Sequence, residues 1–229
     1  MNERGFRYEQ KYLISLQTAV LLQSRLAAFM AVDPHAVNGR YHIRSLYFDD
    51  TDHSAFFSKL NGVDERSKFR IRHYDFCDDY VSLEKKEKIG CLTRKTAVRL
   101  DGRLARQLAS DMNEPARCGI SPHPLLDEFL MLRAAALLRP AVYVDYDRFP
   151  FVCAESRTRI TIDANVSAGF TAMELFDRER LTLPVLPEGT AILEIKFDER
   201  LPAHLLVLME DIPMQAQAVS KYCLCRDAI

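Results

Sequence analysis

Arginines, lysines and glutamates recur at every second position in six segments of this sequence, a spacing that puts them on one face of an extended chain. In KFRIRHY, Lys68, Arg70, Arg72 and Tyr74 stand on one side and Phe69 and Ile71 on the other; in VSLEKKEK, Glu84, Lys86 and Lys88 oppose Val81 and Leu83. The same arithmetic aligns Arg7, Glu9 and Lys11 in FRYEQKY and Tyr146 and Arg148 in VDYDRF. It also aligns Arg157, Arg159 and Asp163 in RTRITID and Glu194 and Lys196 in ILEIKF. Converging faces of this kind make a cationic cavity with a few carboxylates, which suits a polyanion carrying a divalent metal.

Each residue type has its own use in such a cavity. The guanidinium forks of Arg70, Arg72, Arg148 and Arg159 can each take two phosphate oxygens, while Lys11, Lys86, Lys95, Lys196 and Lys221 act as point charges. Carboxylates do not bind phosphate directly, so Glu9, Glu84 and Glu194 are assigned to Mg²⁺ or Mn²⁺, hard cations that favour oxygen ligands. Arg40, Arg44, Lys68, Lys88, Arg99 and Arg157 fit the rim or surface as well as the lumen. An ordinary antiparallel sheet with one wet face also alternates in this way. The cationic bias and the apolar back of every segment favour instead a sheet closed on itself and covered outside by helices.

Other chemistries find little support. There is no G-x-x-x-x-G-K followed by Ser or Thr and no G-x-G-x-x-G, and eight glycines are too few for a phosphate loop built on backbone amides. No G-x-S-x-G elbow is present, and Ser220 beside Lys221 falls short of a Ser-Lys hydrolase pattern. The six cysteines form no C-x-x-C pair, which reads as reduced thiols in the cytoplasm. No stretch is apolar enough to span a bilayer, and residues 1–12 lack a signal-peptide core.

The elements that must carry these faces follow from the periodicity. Strands are expected near residues 5–14 and 40–50, in a three-strand meander over 64–100, and at PAVYVDYDRF, RTRITIDAN and GTAILEIKF, with a weaker one at AGFTAMELF. SLQTAVLLQSRLAAFM reads as a helix capped by Ser15 that packs through Leu16, Val20, Leu26, Phe29 and Met30. Further helices are expected at TDHSAFFSKL, LARQLASDM, PLLDEFLMLRAAALL, LPAHLLVLMEDI and QAVSKYCLCRD, with the loop EPARCGISPHP between the third and fourth of these six. The sum is about eight strands with helices before, between and after them, an α+β architecture built on a largely antiparallel sheet or barrel. The formal net charge of -1 argues against a general nucleic-acid binder, yet residues 66–99 hold ten Lys and Arg against five acids.

Nine motifs in order, RYEQKY, YHIRSLYFDD, KFRIRHY, VSLEKKEK, LTRK, YDR, RITID, ILEIKF and SKY, resemble the polyphosphate polymerase domain of the vacuolar transporter chaperone complex. That domain is one of the triphosphate tunnel metalloenzymes, alongside the CYTH proteins, and the resemblance spans about residues 6 to 223. It implies for residues 1–229 a single α+β domain, an eight-stranded antiparallel β-barrel with packing helices outside and a C-terminal helix closing one end, whose lumen binds triphosphate and a divalent cation. It also implies an enzyme that lengthens polyphosphate with the γ-phosphate of ATP. By resemblance, the first-strand lysine falls on Lys11, the paired arginines on Arg70 and Arg72, and the E-x-K motifs on Glu84 with Lys86 and Glu194 with Lys196. Lys95, Tyr146, Arg148, Arg159, Ser220 and Lys221 match the remaining phosphate-binding positions, and Glu194 the metal-binding glutamate; Lys11, Arg70, Arg72, Lys86, Lys196 and Lys221 are the catalytic set.

Arg7 departs from the E-x-E-x-K of CYTH proteins, which removes one metal carboxylate and weakens a CYTH-type triphosphatase or cyclase reading. Neither the membrane spans nor the phosphate-sensing module of the eukaryotic protein is expected here, so product export would need a separate membrane protein. Polymerase, tripolyphosphatase or nucleoside triphosphatase, and a non-catalytic polyphosphate- or nucleotide-binding module remain open, as does the oligomeric state.

Overall fold

A computed structural model describes residues 5–110, 123–171, 174–212, 214 and 216–229. Its elements run β1 (Arg7–Ser15), α1 (Leu16–Ala27), β2 (Ala31–Val32), β3 (Tyr41–Asp49), α2 (Ser54–Leu60), β4 (Glu65–Tyr74), β5 (Cys77–Ile89) and β6 (Leu92–Leu100). They continue α3 (Gly102–Ala109), α4 (Pro124–Ala135), β7 (Arg139–Cys153), β8 (Thr158–Gly169), β9 (Leu183–Pro184), β10 (Thr190–Phe197), α5 (Ala203–Val207) and α6 (Lys221–Asp227). Strands pair in the order β7-β3-β4-β5-β6-β1-β10-β8, and β8 pairs again with β7, so eight strands close an antiparallel barrel. The two-residue strands β2 and β9 attach to β7 and β8. The β1–β6 seam holds only Arg7↔Thr93 and Tyr8↔Leu92.

Along most of the barrel, alternation sorts the strand residues between a largely polar lumen and an apolar outer surface. Phe69, Ile71, Val81 and Leu83 point outward and are covered by Leu108 of α3 and Leu126 and Phe129 of α4. On the other flank Ile160, Ile162, Leu193 and Ile195 pack against Leu22 and Leu26 of α1 and Leu205 of α5. A third cluster joins Ile43, Tyr47, Val142, Val144, Val166 and Ile192 to Tyr222, Cys223 and Cys225 of α6, which fills one end of the lumen with apolar side chains.

Local chemistry fixes α6 in that end. Residues 216–220 run extended along β1, with a bridge between Tyr12 and Ala216 and the Gln217 amide donating to the Lys11 carbonyl at 2.9 Å. The helix therefore starts at Lys221 rather than in QAVS, with the Ser220 hydroxyl accepting from the Cys223 amide at 3.4 Å. Tyr222 donates to Asp49, whose carboxylate also accepts from the Ala55 and Phe56 amides at 2.9 and 3.1 Å, so one carboxylate ties α6 to α2.

Other expectations need correction. Ser15 caps α1, but the buried stripe is Ala19, Leu22 and Leu26, while Leu16, Val20 and Phe29 are exposed. Both stripes have helical spacing, and the one through Ala19 allows closer approach to the sheet. AGFTAMELF forms no strand beyond Gly169 among its described residues; Leu175 is buried and its carbonyl lies 2.8 Å from Nε2 of His73. LPAHLLVLMEDI keeps only five helical residues, with Pro202 as N-cap. The loop EPARCGISPHP, with Cys118, falls outside the described residues except for its last two. Among the described residues no helix is long and apolar enough to cross a membrane.

Candidate anion site in the barrel lumen

Inside the barrel lies a cavity of about 240 Å³, lined by fourteen Lys and Arg, twelve of them from six strands and one each from α2 and α6, against two carboxylates, Glu9 and Glu194. Two further carboxylates, Glu84 and Asp163, are buried just behind this lining and hold its cations. Arg148 makes a bidentate pair with Asp163 at 2.6 and 2.7 Å, and Lys221 reaches the same group at 2.5 Å. Lys196 lies 2.5 Å from Glu194, and Lys11 sits between Glu9 and Glu194 at 3.1 and 3.4 Å. Lys86 contacts both oxygens of Glu9 at 2.7 Å. Glu84 takes Arg70 at 2.6 Å and Lys95 at 2.7 Å, with Arg72 at 3.8 Å.

Burial by itself would raise these carboxylates, but the cations outweigh it. Lys86 and Lys11 hold Glu9 low, Lys196 and Lys11 hold Glu194 well below the usual range, and Arg148 and Lys221 depress Asp163. All remain ionised at neutral pH. Burial pushes Lys86 down to about 7, with Lys11 and Lys196 adding to the effect against the pull of Glu9. Burial lowers Lys196 and Lys95 as well, whereas Glu9 and Glu194 raise Lys11 over the effect of its burial.

A consequence follows for pH. An anion bound beside Lys86 favours its charged form, so at pH values above about 7 binding must take up a proton. Titrating tripolyphosphate at pH 8 in buffers of different ionisation enthalpy should give heats that report uptake, and affinity should fall as pH rises through 7 to 9. Heats independent of the buffer would remove Lys86 from the site.

The structure brings Lys11, Arg70, Arg72, Lys86, Lys95, Tyr146, Arg148, Lys196, Ser220, Lys221, Glu9 and Glu194 together around one cavity. Arg7, Lys68 and Lys88 join them. Arg159 stands apart, turned to Asp33 at 2.9 Å and the Tyr41 hydroxyl at 2.6 Å. Arg40, Arg99 and Arg157 are exposed, and Arg44 is buried on the outer side against Asp145 and the Asp177 carbonyl. Glu84 does not reach the lining as the metal assignment requires; its oxygens are taken up in orienting Arg70 and Lys95. Glu9 and Glu194 are the pair that fits a divalent cation: two ionised carboxylates facing one cavity, an all-oxygen set that leaves further positions to phosphate oxygens.

Some contributors escape sequence reasoning. Asp163 is visible as the partner of Arg159 in the R-x-T-x-D spacing, but its pairing across to Arg148 and Lys221 is tertiary. Lys59 comes from a helix, where the two-residue period has no meaning, and Arg66 and Arg94 line the cavity at the ends of their strands.

Three comparisons bear on this geometry. A model of the VTC domain family matches residues 6–229. Among solved structures, a putative adenylyl cyclase from Hippeastrum, described as having a dominant triphosphatase activity, superposes with a TM-score of 0.54 at 16% identity over 97% of this chain and 96% of its own. A putative adenylate cyclase from Bacillus halodurans gives 0.53 at 16% identity over 93% and 89%, and one from Vibrio parahaemolyticus 0.51 at 10% over 96% and 97%. At these identities the likeness is one of fold. A comparison with curated proteins finds no match.

Proposed function

The chain belongs to the VTC domain family, and from that premise we propose that residues 1–229 form one catalytic unit, a metal-dependent phosphotransferase that moves the γ-phosphate of ATP onto a growing inorganic polyphosphate chain. The observation that carries this reading is the lumen, where cations outnumber carboxylates so heavily that a multiply charged linear anion is the natural occupant. Mg²⁺ or Mn²⁺ held by Glu194 and Glu9 would supply Lewis acidity toward phosphate oxygens.

The protein's own part is positioning and charge. Arg70, Arg72 and Arg148 are oriented before substrate arrives: Arg70 by Glu84 and the Tyr47 hydroxyl, Arg72 by Ser45 and Tyr146, Arg148 by Asp163. Such groups stabilise charge spread over the transferring phosphoryl without reorganising. Lys11, Lys86 and Lys196 meet the remaining oxygens, and Lys86 can carry or release a proton near neutrality. On the same reading the protein acts in the cytoplasm, its described cysteines being free thiols.

Lys221 has a distinct place because a helix, not a strand, delivers it to Asp163 and over the Tyr146 ring at 4.8 Å. Lys221→Ala should lower turnover by about tenfold or more while tripolyphosphate affinity changes by less than about threefold, since the arginines still meet most of the anion's charge. Equal losses in both would make Lys221 only another phosphate ligand.

A second reading, hydrolysis of triphosphate, is favoured by one feature: α6 and its apolar cluster fill one end of the lumen, which suits a short substrate. Incubation with ATP and Mn²⁺, followed by sizing of the phosphate products on a gel, separates the two. Long chains support the polymerase, orthophosphate alone supports the hydrolase, and tight binding with no turnover leaves a binding module.

A further inference from the structure

Charge compensation divides the cavity into two zones. In the inner zone Lys11, Lys86, Lys196, Arg148, Lys221, Arg70 and Lys95 each meet one of four carboxylates. The outer zone differs. Lys59 of α2 and Lys88 of β5 line the same cavity, yet among the described residues neither has a side-chain hydrogen bond or an ion pair, and Arg66 donates to the Val63 carbonyl of its own approach loop.

Strand register makes this costly. Arg66 lies directly opposite Lys88 across β4 and β5, and Lys68 opposite Lys86, which in turn faces Lys95 on β6. Like charges at directly opposite positions oppose strand pairing. The nearby acid Glu87 belongs to the outer face, where Lys85 and Arg94 engage it. Burial and the charge of Arg66 hold both the Lys59 and the Lys88 ammonium below their ordinary value. A cluster of this kind has an external counter-charge as its natural partner.

The shape of the lining says which anion. Arg66, Lys68, Arg70 and Arg72 follow one another at every second residue of β4, about 6.6 to 6.8 Å apart, a track running from the outer zone to the deepest arginine. The rings that line the cavity are already covered by cations: Tyr47 by Arg70, Tyr146 by Arg148 and Lys221, Tyr222 by Lys68. Among the described residues every lining ring thus already has a cation against it, and the outer zone presents charge along a chain rather than an unpartnered ring. Since α6 fills the other end, an anion longer than the inner zone must pass this rim.

Resting on the reading that the inner zone takes triphosphate, we propose that Lys59, Arg66 and Lys88 form an outer subsite for inorganic polyphosphate, holding the phosphates of a chain that extend beyond the inner zone. The subsite grips a growing chain between transfers, and it gives long chains an advantage over tripolyphosphate that the inner zone alone cannot supply.

The test is a calorimetric titration in chelator, so that no turnover intervenes, of tripolyphosphate and of long-chain polyphosphate into the wild type and a Lys59→Ala/Arg66→Ala/Lys88→Ala variant. The wild type should bind the chain at least about tenfold more tightly per site, and the variant should lose about tenfold on the chain but under about threefold on tripolyphosphate, as three rim charges allow. The single variant Lys88→Glu should show the same split if the triple variant melts early. Tripolyphosphate bound as tightly as the chain, or equal losses on both, would overturn the subsite while the inner site stands. Binding of neither ligand would overturn the inner site with it. Single-stranded DNA competing as well as polyphosphate at equal charge would overturn the assignment of the occupant.

Discussion

Replacing Glu194 with Gln is expected to move turnover and anion binding in opposite directions. Glu194 is 4% exposed, lies between Lys196, Lys11 and Arg148, and is one of two carboxylates that line the cavity. On the proposed reading, removing its charge takes away a metal ligand and leaves Lys11 and Lys196 less well placed. Metal-dependent turnover should fall by on the order of a hundred- to a thousandfold, the loss typical of one preorganised electrostatic contact in an active site. In chelator, the same variant has one negative charge fewer facing the phosphates, so tripolyphosphate should bind as well or several-fold tighter. Steady-state rates with Mn²⁺ and calorimetry without metal measure the two arms. Unchanged turnover would end the metal assignment, and parallel loss of binding would show Glu194 to be scaffolding for the lysines.

Asp163→Asn should be the most destabilising single change among the charged residues of the site. The carboxylate is fully buried and neutralises both Arg148 and Lys221, so its loss strands two buried cations. Breaking a buried pair from one side costs about 3 to 5 kcal/mol, and in a chain of this size that lowers Tm by roughly 10 °C. A multiply charged anion in the lumen replaces the missing charge, so saturating tripolyphosphate should recover much of the drop and stabilise the variant more than the wild type. A melting curve insensitive to the substitution would mean that Arg148 and Lys221 are solvated rather than paired.

How much of this could be read from the residues depended on whether one period governed them. The two-residue alternation of β4 and β5 assigned Arg70, Arg72 and Lys86 to the lumen and Phe69, Ile71 and Leu83 to the outer core, because a half-slip would bury charge against helices. In β8 that rule failed locally. Three steps of β8, from Ala164 to Ser167, oppose two steps of β7, from Asp147 to Asp145, and Asn165, at φ 55, takes up the extra residue. The bulge returns Val166 to the lumen side, where it joins the α6 cluster. In α1 two stripes of equal spacing competed, and only docking against the sheet chose Ala19 over Val20.

The remaining misses are tertiary. Glu84 shares a face with Lys86, but its neighbours across the sheet, Arg70 and Lys95, absorb its oxygens; Arg159 shares a face with Asp163 and yet finds Asp33 nearer than the lumen. The orientation of Lys221 rests on the extended run at 216–220, which continues the helical-looking QAVS as an edge against β1. No local pattern encodes that contact.

The most direct test is a titration of tripolyphosphate, without metal, into the wild type and Arg72→Ala side by side. Arg72 is 5% exposed, deep in the lumen, and held by Ser45 and Tyr146, so its guanidinium is aimed before any ligand arrives. The account expects one site per chain in the wild type, weakening with added salt, and an affinity lower by about 1.5 to 3 kcal/mol in the variant, the worth of a charge-assisted hydrogen bond from a buried donor. No binding to the wild type, or the same dissociation constant in both proteins, would contradict it.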